Sequence, residues 1–320
     1  MWKFNPILKQ TIWGGDSIAP FKHLHTDLTH VGESWELSGV KGDESVIANG
    51  DDRGKTITQL LQEMKESLIG KANYARFGDT FPLLIKFIDA RDDLSIQVHP
   101  NDEQAMAKHG KRGKTEMWYI VDTTPDAHLR SGFSQAVTPE QYAAKVADST
   151  ITEVLQDYNV KPGDVFFLPA GRIHSIGAGT FLAEIQETSD ITYRIFDFDR
   201  RDANGNTREL HTELAKEVID YTVLPDYRTH YEGKCNQSVN LATCEHFTTN
   251  LYKLDRDINI DYSDKDSFIV LIGLEGKCEI STDSESIALQ AGETLLLPAT
   301  TAGISITPAP ACKLLETYIV

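Results

Sequence analysis

A segment in the middle of the chain combines a tight turn, an apolar strand and a histidine, and from it the fold can be predicted. It reads Pro162-Gly163-Asp164-Val165-Phe166-Phe167-Leu168-Pro169-Ala170-Gly171-Arg172-Ile173-His174. A Pro-Gly-Asp sequence is typical of a turn, and the apolar and aromatic residues after it are typical of a buried strand. The pattern predicts that the turn delivers His174 to the interior of a β-barrel, where an imidazole needs a polar partner.

A second copy of this pattern lies near the C-terminus. It reads Ala291-Gly292-Glu293-Thr294-Leu295-Leu296-Leu297-Pro298-Ala299 and repeats the turn and strand of residues 162–170. An internal repeat of this kind predicts a duplicated barrel. Thr300 stands where the first copy has Gly171, and Gly303 stands where it has His174. We therefore expect the second barrel to keep the turn but lack the histidine ligand, and to contribute surface to the active barrel.

The first copy resembles the second sequence motif of the cupin barrel, in which a tight turn brings one strand and its histidine to the interior. The resemblance implies a mainly β protein built from two cupin domains, which are jelly-roll type β-barrels. We predict a catalytic cupin domain over residues 1–225 and a C-terminal cupin-like domain without metal ligands over residues 226–320. A small helical excursion is expected within the first of these domains.

Helical spacing interrupts the strand pattern at two places in the first domain. Residues 56–70 carry apolar side chains at helical intervals, namely Ile57, Leu60, Leu61, Met64 and Leu68. Pro139 stands where a helix begins, which predicts a second helical segment over residues 138–158. A short helix over residues 211–221 is expected to link the barrels.

The strand that carries the first candidate metal ligands follows the first helical segment. Residues 81–90 and 94–99 are predicted as a strand pair that opens the catalytic barrel. Gln97 and His99 stand two residues apart, so on a strand both side chains leave the same face. The opposite face would carry Leu94, Ile96 and Val98.

Two more polar residues complete a possible ligand set. Glu116 and His174 each interrupt an apolar stretch typical of a strand. A single strand histidine is more often a structural hydrogen-bonding residue than a ligand. Two imidazoles, a carboxylate and an amide oxygen together form a mixed nitrogen and oxygen set, however, and such a set suits zinc or a similar divalent metal with room for water or substrate. The conjunction of these residues therefore favours a metal site.

Three runs resemble the signatures of type I mannose-6-phosphate isomerases and occur in the order found in that family. They span residues 95–102, 114–119 and 189–197, and the similarity extends from residues 6–9 and 13–15 to the C-terminal strands. The chain looks like the short bacterial form of the family. The resemblance implies one zinc ion per chain, held by Gln97, His99, Glu116 and His174.

The family resemblance also implies an activity, the interconversion of mannose 6-phosphate and fructose 6-phosphate through a cis-enediol. Zinc would act there as a Lewis acid that stabilises the developing enediolate. Two alternative functions remain open from the sequence. One is a noncatalytic metal-binding double cupin that senses a sugar or sugar phosphate, and the other is an iron-dependent cupin dioxygenase, although these usually carry His-x-His where this chain has Gln-x-His.

Catalytic roles are likewise implied by the resemblance. Arg194 matches the catalytic arginine of the family, and a guanidinium is suited to stabilising an enediolate or gripping a phosphate. Its structural alternative is an ion pair with Asp197 or Asp199. Asp190 and Lys114 match positions proposed for proton transfer.

Further residues are assigned to substrate binding or to the pocket wall. Ser95 and Lys86 match positions associated with the substrate phosphate. Glu184 and Gln186 alternate toward one face, where either the pocket or the filling of the barrel explains them.

Composition narrows the class of protein. The formal net charge of -17 opposes nonspecific binding to nucleic acid or to anionic lipid, so a sugar phosphate would need local cations. No apolar run approaches the ~20 residues of a membrane span, and the N-terminus lacks the pattern of a secretory signal. The cysteines form no Cys-x-x-Cys pair, which favours reduced thiols. We expect a cytoplasmic monomer or homodimer whose partner is a small sugar phosphate.

Overall fold

A computed structural model of the protein describes residues 1–201 and 204–319. Asp202, Ala203 and Val320, which fall within the predicted domains, lie outside the described residues. The strands are β1 (Trp2–Asn5), β2 (Ile7–Gly15), β3 (Val31–Leu37), β4 (Val46–Ile47), β5 (Leu83–Ala90), β6 (Ile96–Val98), β7 (Glu116–Thr123), β8 (His128–Phe133), β9 (Leu155–Asn159), β10 (Val165–Leu168), β11 (His174–Ile176), β12 (Thr180–Glu187), β13 (Tyr193–Phe196), β14 (Arg228–Thr229), β15 (Val239–Thr243), β16 (Thr248–Leu254), β17 (Ile258–Asp261), β18 (Ile269–Ser281), β19 (Ser286–Gln290), β20 (Thr294–Leu297) and β21 (Gly303–Tyr318). The helices are α1 (Ile18–Phe21), α2 (Ile57–Met64), α3 (Glu66–Ile69), α4 (Lys71–Phe77), α5 (Asp102–His109), α6 (Pro139–Ala147) and α7 (Thr212–Val218), with a 3-10 turn at Ile151–Val154. The protein is therefore mainly β, as predicted.

The first barrel consists of two sheets that face each other. One has the strand order β14-β10-β7-β12-β5-β2-β3, and the other has the order β13-β6-β11-β8-β9. Between them lies an apolar cluster to which both sheets contribute, for example Trp118, Phe166 and Leu182 from the first sheet with Leu129 and Ile176 from the second. This interior anchors the strands that carry the candidate metal ligands.

The alternation of side chains along these strands explains the sequence pattern. On β7, Trp118 points into the first barrel, whereas Met117 and Tyr119 belong to a separate cluster on the outer face. That outer cluster also contains residues of the C-terminal sheet, including Val270 and Leu315. Strands of the larger first-barrel sheet are thus buried on both faces, and the two barrels share a continuous apolar core.

The second barrel is a single curved sheet with the order β15-β16-β21-β18-β20-β1-β4. Its interior is lined by apolar side chains of β16, β18, β20 and β21. The internal repeat is visible in the backbone, because both Gly163 and Gly292 turn the chain with positive φ values, 91° and 81°, ahead of β10 and β20. Glycine adopts this conformation without the steric penalty of a side chain.

Strand pairing crosses the division between the predicted domains. The N-terminal strand β1 pairs with β20 of the second barrel through Trp2 and Leu296. In the other direction, β14 lies just beyond residue 225 and pairs with β10 of the first barrel. The two ends of the chain therefore meet in one sheet.

The predicted helical segments are present but differ in detail. The single helix expected over residues 56–70 is instead three short helices, because Lys65 and Gly70 both adopt positive φ and break the hydrogen-bonded ladder. In the second segment, α6 begins at Pro139 as expected, with Thr138 as its N-cap. The prediction of helix as far as residue 158 is wrong, since β9 pairs with β8 from Leu155 onward.

Two predictions about the first ligand strand are also corrected. Residues 81–90 and 94–99 are not a strand pair, since β5 lies in one sheet and β6 in the facing sheet. Ile96 and Val98 pack on the outer face of β6, as predicted, but Leu94 belongs to the inner core with Trp118. The reason is that β6 begins at Ile96, so the alternation does not extend back to Leu94.

Candidate metal centre and substrate cleft

Strand register brings the predicted metal ligands together at one end of the first barrel. On the smaller sheet, His174 of β11 is directly opposite Gln97 of β6, and the Gln97 Nε2 and His174 Nε2 atoms are 3.3 Å apart. The facing sheet contributes Glu116 at the start of β7. Glu116 Oε1 is 3.3 Å from His174 Nε2, and Glu116 Oε2 is 3.5 Å from His99 Nε2. The four predicted ligands therefore converge.

Backbone carbonyls orient both imidazoles. His99 Nδ1 lies 2.8 Å from the carbonyl oxygen of Ile191, and His174 Nδ1 lies 2.7 Å from that of Arg172. A carbonyl can only accept, so each Nδ1 carries the proton and each Nε2 presents its lone pair to the centre. This arrangement is typical of histidines that bind a metal.

Glu116 and Lys114 lie two residues apart at the start of β7. The Lys114 ammonium is 2.5 Å from Glu116 Oε2 and 3.1 Å from His99 Nε2. Glu116 is fully buried, and its second oxygen, Oε1, has no hydrogen-bond donor within the described residues. An orphaned buried carboxylate oxygen is costly unless a cation satisfies it.

The protonation states suit a metal centre. Burial and the nearby charge of Lys114 hold the pKa of His99 well below its ordinary value, and burial lowers the pKa of His174 to about 3. Both rings are therefore neutral at physiological pH, as ligands must be. Burial and the charge of Glu184 raise the pKa of Glu116 to about 7. A positive ion at the centre would relieve this unfavourable carboxylate charge.

The residues present therefore fit a divalent metal. His99, Glu116 and His174 are one of two groups of His, Asp and Glu side chains whose ligand atoms lie within 4.8 Å of one another in the described ranges. Gln97 adds an amide to this group from the neighbouring strand. The other group joins Asp102 and Glu187 of the first barrel to His246 of the second.

A cleft of about 540 Å³ lies beside this centre and contains the other predicted site residues. Its lining includes Lys86, Ser95, Gln97, Lys114, Asp190 and Arg194. All the residues assigned to catalysis or to substrate binding from the sequence are thus brought to one cavity. Strand β2 supplies part of the opposite wall through Gln10, Thr11, Ile12 and Trp13.

Lys86 is already engaged by carboxylates. Its ammonium is 3.1 Å from Glu184 Oε1 and 3.6 Å from Glu33 Oε2, and it lies over the ring of Trp35. Burial disfavours the charged form of Lys86, but the charges of Glu184 and Glu33 raise its pKa above the ordinary value. Trp118 Nε1 also donates to Glu184 Oε2 at 2.9 Å. From the sequence, Glu184 could either line the pocket or fill the barrel. The structure places it in the cleft, where it pairs with Lys86.

Arg194 lies directly opposite Gln97 in the pairing of β13 with β6. One of its guanidinium nitrogens donates to the carbonyl oxygen of Glu209 at 2.9 Å, while Nε is buried without an acceptor in the described part of the chain. The structural alternative, an ion pair with Asp197, is made instead by Arg200 and Arg208, at 2.6 Å and 2.5 Å. Within residues 1–201 and 204–319, Arg194 thus forms no ion pair with a carboxylate.

Asp190 occupies the rim of the cleft rather than its floor. Its side chain is about half exposed, and Lys111 contacts both carboxylate oxygens at 2.8 Å and 3.0 Å. The adjacent residue, Ile191, provides the carbonyl oxygen that orients His99. The segment that carries Asp190 therefore also supports the metal centre.

Several cleft residues were not identified from the sequence. Arg200, Arg208 and His211 line the cavity, but they lie outside regular apolar strand patterns, so no local signal marked them. Glu33 is different, because it interrupts the strand Val31–Leu37, where a charged side chain needs a partner. That signal was available in the sequence.

The fold and the site together define a double-barrel protein of cupin type with a metal-capable centre. Residues 1–123 match the family model for the catalytic domain of type I phosphomannose isomerase, and residues 237–318 match the model for the cupin domain of mannose-6-phosphate isomerase. His174, Asp190 and Arg194 lie between these two matches.

Individual proteins are similar over nearly the whole chain. Mannose-6-phosphate isomerase ManA of Bacillus subtilis (strain 168) is 35% identical over 298 residues, which cover 92% of each chain. The mannose-6-phosphate isomerase of Streptococcus mutans is 31% identical over 92% of this chain and 90% of that protein. A crystal structure of the mannose 6-phosphate isomerase from Bacillus subtilis has a TM-score of 0.89 at 28% identity and covers 99% of each chain. The chain belongs to the type I phosphomannose isomerase family.

Proposed function

We propose that the protein is a zinc-dependent aldose-ketose isomerase that interconverts mannose 6-phosphate and fructose 6-phosphate through a cis-enediol. The observation that carries the proposal is the convergence of two neutral imidazoles and a buried, incompletely satisfied carboxylate beside a cleft lined by lysines and arginines. Membership of the phosphomannose isomerase family supports the choice of substrate.

Gln97, His99, Glu116 and His174 would hold one zinc ion per chain. When bound, zinc would supply a Lewis acid that stabilises negative charge on substrate oxygens. A neutral amide in place of another anionic ligand keeps such a site more positive. The carbonyls of Ile191 and Arg172 keep the two imidazoles in the required tautomer.

Lys114 is the group best placed to hold or move the proton at the reacting carbons. Its ammonium faces both the cleft and the metal centre, and its neighbours Glu116 and His99 fix its position. Asp190 remains our proposal for a second proton-transfer group. Its location on the rim, paired with Lys111, means that it would act on the part of the substrate nearest to the cleft opening.

Arg194 is proposed to stabilise the enediolate, since it stands opposite Gln97 and its buried Nε has no acceptor among the described residues. For the phosphate we propose Ser95 together with Arg200 and Arg208, which Asp197 gathers at the same cavity. Lys86 was assigned to phosphate from the sequence, but its charge is balanced by Glu184 and Glu33. We therefore propose that Lys86 adds to the positive potential around the phosphate and does not make the main contact with it.

The decisive experiment is a coupled assay for fructose 6-phosphate production from mannose 6-phosphate, with and without a chelator. Activity that disappears with the chelator and returns with zinc would support the proposal. A metal-replete protein that binds mannose 6-phosphate but neither exchanges the carbon 2 proton nor forms fructose 6-phosphate would be a sugar-phosphate sensor. Iron-dependent oxygen uptake would instead identify a dioxygenase.

Two features of the structure bear on the cellular setting. Among the described residues, no helix is long and apolar enough to cross a membrane. Cys235, Cys244, Cys278 and Cys312 are free thiols in the structure. A cytoplasmic location and a monomeric or homodimeric state stay predictions, and gel filtration with light scattering would measure the latter.

A further inference from the structure

We infer that His246 of the second barrel is a positioning residue for the active site of the first barrel, acting through Glu187 on the segment that carries Lys114 and Glu116. The inference rests on the proposed function, since it assigns Lys114 and Glu116 their roles. It gives the second barrel, which has lost the ligand at Gly303, a defined part in the reaction.

The contacts form a continuous chain between the barrels. His246 lies in the turn between β15 and β16, and its Nδ1 is 2.9 Å from Glu187 Oε1. The other carboxylate oxygen, Glu187 Oε2, accepts the backbone N–H of Thr115 at 2.7 Å. Thr115 also accepts, through its carbonyl, the backbone N–H of Glu187 at 3.1 Å. Because Thr115 stands between Lys114 and Glu116, displacement of Glu187 would shift both.

Burial increases the energetic importance of these contacts between the barrels. The side chains of Glu187 and His246 are only 5% and 12% exposed, so the carboxylate charge is poorly solvated. When it is protonated, His246 places a positive charge 2.9 Å from Glu187 Oε1. Hydrogen bonds to a charged group in such surroundings are stronger than those between neutral partners.

The charges around His246 distinguish an ion-pair network from a second metal site. Asp102 brings a carboxylate oxygen within 4.8 Å of the His246 and Glu187 ligand atoms, which is a spacing that could hold an ion. However, an Arg76 guanidinium nitrogen is 3.4 Å from His246 Nδ1, and Arg112 is 3.7 Å from Asp102. Two guanidinium groups at these distances repel a divalent cation and already compensate the carboxylates.

Asp102 holds the same segment from its other side. Its Oδ1 atom accepts the backbone N–H of Gly113 at 2.7 Å. Glu187 and Asp102 therefore fix residues 113 and 115, on either side of Lys114. Both carboxylates lie within the electrostatic reach of His246.

The network responds to pH in a defined direction. Burial of the His246 ring opposes protonation, but the hydrogen bond and charge of Glu187, with the charges of Asp102 and Glu245, raise the pKa of His246 above its ordinary value. Among the described residues, an Arg76 guanidinium nitrogen lies 3.4 Å from His246 Nδ1, and its positive charge acts in the opposite direction. A raised folded pKa means that the stabilisation is complete below the unfolded value of about 6.5 and is lost as the pH rises through the folded value.

The test compares His246→Ala and His246→Asn with the wild type, all loaded with zinc. Asparagine keeps a donor near the Nδ1 position but cannot titrate. His230→Ala is the matched control, because His230 is 74% exposed and pairs with Asp226 at 2.7 Å in a separate surface contact. Hydrogen exchange of the peptide spanning residues 113–116, kcat and KM are measured from pH 6 to pH 9.

We expect amide exchange of this peptide to be about tenfold faster in His246→Ala, with kcat reduced about tenfold and KM changed less than twofold. In the wild type, kcat and exchange protection should fall as His246 deprotonates, whereas His246→Asn should lack this pH dependence. His230→Ala should resemble the wild type in every measurement.

Three outcomes would overturn the inference. They are unchanged exchange and kcat in a folded His246→Ala protein, a pH profile of His246→Asn that matches the wild type, and a second equivalent of zinc that is lost in His246→Ala. If the wild type itself shows no isomerase activity, the proposed function fails. Hydrogen exchange then decides whether the physical link from His246 to residues 113–116 exists.

Discussion

Replacement of His174 by alanine tests the metal centre at one of its buried ligands. The imidazole is 1% exposed, its Nδ1 donates to the Arg172 carbonyl oxygen at 2.7 Å, and its ring packs edge-on against Trp118. Removing it deletes one hydrogen bond and leaves a small cavity, which together cost about 2 kcal/mol in the free energy of unfolding. Domains of this kind have about 5–15 kcal/mol available, so the variant should fold.

The larger effect should appear only when zinc is present. At a free zinc concentration of about 100 times Kd, binding stabilises the wild type by about 2.7 kcal/mol. Loss of a direct ligand should weaken binding by at least about 100-fold, since even supporting residues outside the ligand shell cost 10- to 100-fold. At the same zinc concentration, the variant would then gain only about 0.4 kcal/mol. Its isomerase activity should fall below detection.

Thermal and urea unfolding with and without zinc, combined with elemental analysis of bound metal, would measure these quantities. His128→Ala is a suitable control, because His128 lies on the neighbouring strand β8 and contacts Asp93 at 3.2 Å rather than the centre. This control should lose some stability but keep the full response to zinc. If folded His174→Ala retained one zinc ion and the same zinc-dependent stabilisation as the wild type, His174 would not be a ligand.

Three further changes test other parts of the site. Arg194→Lys keeps one charge but loses the planar fork, so kcat and kcat/KM should both fall by about 100-fold, equivalent to about 2.7 kcal/mol, while bound zinc is unchanged; steady-state kinetics close to wild type would remove Arg194 from the reaction. Arg208→Ala removes a proposed phosphate contact and should raise KM for mannose 6-phosphate by about tenfold or more with little change in kcat; a purely kcat effect would contradict that role. Burial of Asp93 opposes its ionisation, but the hydrogen bond from His128 and neighbouring donors including Arg130 lower its pKa. The stabilisation from Asp93 should therefore be present above its unfolded pKa of about 3.9 and be lost on acidification. Asp93→Asn should lower the free energy of unfolding by about 1 to 3 kcal/mol at pH 7. It should also flatten the acid limb of the free energy of unfolding measured in urea across a pH series. An acid limb as steep as in the wild type would show that other carboxylates control it.

Much of the metal centre could be predicted because its signals are local. Gln97 and His99 are separated by one strand period, and Glu116 and His174 are each the first residue of a buried strand. The turn ahead of His174 is recognisable from its proline and glycine. A strand presents alternate residues to the barrel interior wherever the sheet is placed, so these side chains needed no detailed tertiary information.

The predicted boundaries of helices were wrong where they depended on the surrounding structure. Residues 56–70 have helical spacing throughout, yet the backbone breaks at Lys65 and Gly70 as it packs against the rest of the core. Leu155 continues an apolar pattern that suited a helix but pairs with β8 as a strand. Propensity is a weak constraint compared with tertiary contacts.

The mainly β class, the duplicated barrel, the degenerate second motif and the four candidate ligands could all be predicted from the order of the residues. Which charges share the cleft depended on the tertiary structure. It placed Arg200 and Arg208 on Asp197, balanced Lys86 with Glu184, and joined His246 of one barrel to the active-site segment of the other. The physical reason is the sequence separation of the interacting residues. Strand alternation and turns depend on neighbouring residues, whereas the partner of a charged side chain depends on which distant strands the fold brings together.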